Sequence, residues 1–221
     1  MGGTALIIAS VANIIVMALH PTGHALMNAG ERFNLIAKLA LGVHWTALIA
    51  MMVAFMGALA LTRHLNQSNR LAVMALVMFG FAVVAGMLAV VCSGFLGTGL
   101  ARKELASAPP GKEFWQLISA YNFGLNQAFA RVLAVSYSGA IMLWSMAMLK
   151  GRLMSKGIAV YGWVAGIIIV LFVAPGFLVL DVHGCGLVVL LQSVWFIAVG
   201  SMLRRVSDES TSIEAVTGVG G

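Results

Sequence analysis

Charge is what this sequence has least of: Asp, Glu, Lys and Arg together make up 9% of its 221 residues, while 61% are hydrophobic. With a mean hydropathy of +1.01 there is too little polar surface to coat a water-soluble domain, and a soluble fold is excluded. Cysteine is almost absent too. Cys92 and Cys185 are the only two, too few and too far apart for a zinc ribbon or a CxxC redox motif. The net charge of +6 and pI near 9.8 come from scattered Lys and Arg, with no dense basic run. They therefore point to bilayer orientation and anionic lipid headgroups, and not to nucleic acid. There is no HExxH, no helix with a facing His pair of the kind that ligates haem, and no visible internal repeat of the kind inverted-repeat transporters carry.

What is present is a series of long apolar runs. At about 20 residues per crossing they read as about six spans, 4–19, 35–61, 71–100, 132–149, 158–180 and 183–203. The expected fold is all-α, a polytopic bundle forming one domain over 1–206, with a polar, disordered tail over 207–221. The first run lacks a basic leader and a small-residue cleavage site, so it reads as a retained span ended by Pro21. Span three would be about 45 Å long against a hydrocarbon core of about 30 Å. It must tilt, protrude or unwind, and Gly94, Gly97 and Gly99 point to its distal end. Span five stops at Pro175-Gly176 or at Leu180. After the Pro109-Pro110 break, apolar residues recur at helical spacing over 113–131 with polar ones between them, which predicts an amphipathic, interfacial segment before span four. Gly162 and Gly166 form a GxxxG spacing suited to packing within the chain.

Six crossings put Arg63, Arg70, Lys150, Arg152, Lys156, Arg204 and Arg205 on one side with both termini. The positive-inside rule then makes that side cytoplasmic and the membrane an inner (plasma) membrane, although Arg102, Lys103, Lys112 and Arg131 dissent and, with Arg32 and Lys38, leave 7 basic residues inside against 6 outside. On this layout the Asn66-Gln67-Ser68 sequon faces inside and carries no weight.

The same layout gathers most polar groups in the other leaflet. His20 and His24 flank a predicted turn, His44 lies in span two, and Asp181, His183 and Cys185 join spans five and six. Imidazole, carboxylate and thiol are ligands for zinc or copper, so His20, His24, His44, Asp181 and His183 form the candidate metal set, with haem as a further option. The bland alternative reads them as helix-end or hydrogen-bonded core residues. Asn122, Asn126, Gln127 and Arg131 form a candidate polar pocket, with Arg131, if buried, seeking Asp181 or Glu31. Cys92 and Cys185 are either a disulfide on an oxidising face or two buried thiols.

Three functional classes remain open: a metal- or haem-associated membrane protein, in which a metal would activate water or carry electrons; a small-solute or proton transport module; and a structural accessory subunit. The partners expected are membrane lipids, with a second copy or a membrane subunit as further options.

Overall fold

In the computed structural model, residues 1–28, 30–65, 69–151 and 155–217 are described, with residues 23, 24 and 207–217 described by backbone alone. About 90% of the chain is helical, with no strand among the described residues. The spanning elements are α1 (Gly2–Leu19), α3 (Phe33–His64), α4 (Arg70–Val90), α6 (Gly111–Gly151), α7 (Lys156–Val173) and α8 (Val182–Thr217). A short α2 (Gly23–Met27) follows α1, and a π-helical turn (Val91–Leu96) joins α4 to α5 (Gly97–Ala106). Six helical segments are long and apolar enough to cross a membrane. The protein is a multi-pass, all-α membrane protein.

The spans pack in chain order. α1 lies on α3, α3 on α4, α4 on α6, α6 on α7 and α7 on α8, and α8 returns to α1 to close a ring. Its centre is filled: Phe79, Trp144, Trp195 and Phe196 are each at most 1% exposed. Their rings sit edge-on, tilted or stacked, as in Trp195 and Phe196 at 4.9 Å, Phe79 and Trp144 at 5.5 Å, and Trp144 and Trp195 at 6.2 Å, spacings at which aromatic pairs attract beyond their burial.

Alternate crossings give the ring two ends. The basic end carries Arg63, Arg70, Lys150, Lys156, Arg204 and Arg205; the histidine end carries His20, the α5–α6 connection and the stretch from Ala174 to Asp181. Counting about 20 residues, or about 30 Å, up from the basic end puts the hydrocarbon boundary near His44 on α3, Val90 on α4, Arg131 on α6 and Gly186 on α8. α1 and α7 stop at that same level, at Leu19 and Val173.

Three helices continue past that level. The start of α3, all of α5 and the first half of α6 form a crown at the histidine end. Glu104 is 8% exposed and accepts a bond from Ser119 Oγ at 3.5 Å, and Lys103 Nζ stands 4.4 Å from the Trp115 ring. The amphipathic stretch 113–131 is the first half of α6 and continues the line of span four without a break. No proline interrupts 111–151, and the polar residues of its first half forbid only lipid, not helix. Span five takes the earlier of its two stops, because α7 ends before Pro175 and Gly176 turns the chain at φ +86. Residues 66–68, 152–154 and 218–221 lie outside the described residues, and with them the sequon, Arg152 and the end of the expected tail.

Candidate functional site

Pro21 cannot continue a helix and pushes the residue before it out of the α region. His20 accordingly leaves α1 in an extended conformation (φ −68, ψ 116). Its ring turns toward α3, where His44 is 3% exposed. The two Nε2 atoms face each other at 3.3 Å, with ring centroids 4.9 Å apart and planes crossed at 65°. Each Nδ1 points to a backbone carbonyl, His20 to Pro21 O at 3.0 Å and His44 to Ala40 O at 2.6 Å.

The third wall is the π turn. There the ladder admits an extra residue, a distortion found often at functional sites. Ser93 Oγ lies 2.9 Å from His44 Nε2 and 2.9 Å from Ala89 O. Gly94 follows, and a Cβ there would overlap the His44 ring, so only glycine lets the imidazole lie this close. The turn is pinned from α6, where Asn122 Nδ2 donates to Cys92 O at 2.8 Å.

These partners fix the tautomers. A carbonyl oxygen only accepts, so each Nδ1 carries the hydrogen, and each Nε2 of a neutral ring is then an acceptor. Two lone pairs thus face each other at 3.3 Å, and the Ser93 hydroxyl has one hydrogen to divide between His44 and Ala89 O. The pair is set up to receive one positive charge, a proton or a metal ion. Burial pushes the His20 imidazolium below its ordinary pKa, partly offset by the bond to the Pro21 carbonyl.

The other expected ligands fall elsewhere. Asp181 Oδ1 accepts from the backbone N–H of His183 at 3.0 Å and of Gly184 at 2.8 Å, capping α8. His183 is exposed and lines a cavity between α1 and α8 that His20 also lines. The stretch after Pro21 forms α2, begun by Thr22 Oγ1 accepting from Ala25 N at 3.1 Å, so the predicted turn is a helix start; the His24 side chain lies outside the described residues. Among the described residues no group of three or more His, Cys, Asp or Glu side chains is arranged to hold a metal. Of the expected five-residue set, the described side chains bring His20 and His44 together. Two crossed rings in contact leave no room for a porphyrin between them, so the pair does not fit haem ligated from both sides.

Nor do the four polar residues of α6 form one pocket. Asn122 holds the π turn, and Gln127 Nε2 donates to Leu180 O at 3.0 Å, fastening the α7–α8 connection. Asn126 is half-buried and does not line the cavity between α1 and α8. Arg131 is exposed and lies beside Gly176, so the burial that would demand a carboxylate is absent. Cys92 and Cys185 are free thiols, the first buried on the π turn and the second donating to Leu180 O at 3.3 Å; each is held by its own surroundings and no bridge joins them.

Ser93 and Gly94 are the site residues that sequence reasoning missed, although the excess length and glycines of span three marked the place. Family models, curated proteins and solved structures contain no match to this chain. Its geometry alone therefore carries the functional reading.

Proposed function

We propose that this is a metal-associated membrane protein whose working centre is the His20–His44 pair, where the spans meet the membrane surface. The observation that carries the reading is the paired geometry. Two imidazole nitrogens bound at about 2.0–2.1 Å to a tetrahedral ion stand about 3.3 Å apart, the separation found here. Metal-binding histidines also donate their second ring N–H to a carbonyl or carboxylate, as both rings do. Zinc or copper suits such nitrogen ligands, with the Ser93 hydroxyl adjacent and positions left for water or substrate. An ion of this kind would polarise a carbonyl or activate water for hydrolysis at the lipid surface.

The filled aromatic centre counts against the transport reading, since Phe79, Trp144, Trp195 and Phe196 occupy the axis of the ring. The basic end supports an inner-membrane orientation with both termini in the cytoplasm.

The test is elemental analysis of protein purified in mild detergent without a histidine tag. About one zinc or copper per chain is expected, lost in His44→Ala and in His20→Ala while helicity and elution stay unchanged. No metal in the wild-type protein would overturn the reading and leave the pair as a proton-sharing latch between α1 and α3. Should either alanine variant fail to fold, Ser93→Ala, a smaller change beside the pair, serves instead; it is expected to weaken metal retention, and unchanged retention would remove Ser93 from the site.

A further inference from the structure

Helices α1 and α8 touch at the basic end and part toward the histidine end. Where they part, a cavity of about 530 Å³ opens between them, inside the range of about 300–1,000 Å³ typical of small-molecule sites. Its walls are apolar, Ile14 and Met17 from α1 and Val189 and Leu190 from α8, while His20 and His183 stand at its mouth. Ile14 lies about 9 Å below His20 along the helix. The walls are therefore at hydrocarbon depth, where the surrounding solvent is lipid chain and not water.

Apolar walls below and two imidazoles above match a molecule with a hydrocarbon tail and a polar head. We infer that the α1–α8 cavity binds one acyl chain of a membrane lipid, with the lipid's head held between His20 and His183 beside the His20–His44 pair. This names the ligand class of the proposed metal centre and rests on that reading for what the head meets; the seating of the chain stands without it.

Gly186 makes the test clean. It lines the cavity, and a Cβ built on it meets nothing within 4 Å, so a large side chain there fills the groove without displacing the fold. Wild-type protein and Gly186→Phe are reconstituted in vesicles of phosphatidylethanolamine and phosphatidylglycerol, extracted in mild detergent and weighed by native mass spectrometry, with metal content measured on the same samples. The wild type is expected to retain one lipid per chain, and Gly186→Phe to reduce retention about tenfold, some 1.4 kcal/mol of binding, with metal unchanged. Ala18→Phe, on the opposite wall, repeats the test should the first variant fold poorly. Equal retention in the wild type and a folded groove variant overturns the inference, as does a second protein chain in place of the lipid. Groove-sensitive lipid retention in a protein without metal upholds the seating of the chain and overturns the metal reading.

Discussion

The seam between α1 and α8 is closed at one end and open at the other, and the residues responsible differ in kind. At the basic end glycines bring backbones into contact: a Cβ on Gly200 would fall 2.6 Å from Gly3 O, and one on Gly57 of α3 would fall 2.6 Å from Leu6 Cδ2. At the histidine end Gly186 faces open space, and the groove and the imidazole pair lie side by side. In lipid, where apolar surface gains nothing by leaving the solvent, close approach through small residues and interhelical hydrogen bonds supply the packing. The basic half is built for that; the histidine half forgoes it where His20 and the groove lie.

The sharpest way to break this contrast is at the aromatic centre. Trp144→Ala removes a side chain that is fully buried and whose Nε1 donates to Thr62 Oγ1 at 3.1 Å; by analogy with cores in water it should cost about 3–5 kcal/mol, seen as a large fall in melting temperature. Gly57→Val overpacks the contact between α1 and α3 in the same basic half and should cost about 1–3 kcal/mol. Asn122→Leu removes the side-chain bond to Cys92 O, which keeps the backbone N–H of Gly97 as donor; it should cost about 0.5–1.5 kcal/mol and loosen the π turn, read as faster amide exchange around 91–96. Gly186→Ala, at the open end, should do the reverse and stabilise by about 0.5–1 kcal/mol through helix propensity. If Gly57→Val and Gly186→Ala shift stability alike, the two ends are not built differently.

Acid offers a last and smaller lever on the open end. Protons compete with a metal for the two Nε2 atoms, and binding is lost as pH falls. Because burial holds the His20 pKa below its ordinary value near 6.5, the ring stays neutral to lower pH than a free imidazole. Metal is thus expected to remain bound at pH 6.5 and to leave below it, followed by equilibrium dialysis across pH 7 to 5. Release already above pH 6.5 would contradict the assignment.

The fold was largely legible because membrane spans announce themselves. A run such as 71–90 has no other stable use, and its overlength and glycines located the irregular turn that the structure places at Val91–Leu96. The continuity of α6 was less legible, because amphipathic patterning tells a helix which face is polar and not which way its axis runs. The site was legible by half. Counting crossings places His20, His44 and His183 in one leaflet, but only tertiary packing decides that His20 meets His44 while Asp181 spends its carboxylate on the start of α8. Ser93 was invisible because a serine within an apolar run carries no signal until the helix turns it toward an imidazole.

The unbroken run of α6 has a consequence for approach from outside. Its first twenty or so residues rise about 30 Å past the hydrocarbon boundary, and with α5 and the start of α3 they fence the histidine end on one flank. A bulky soluble molecule arriving from that side meets the fence before it meets the pair. The low side of the enclosure is the α1–α8 flank, where the helices stop at the surface, so on that flank the way to the imidazoles lies open in the plane of the membrane.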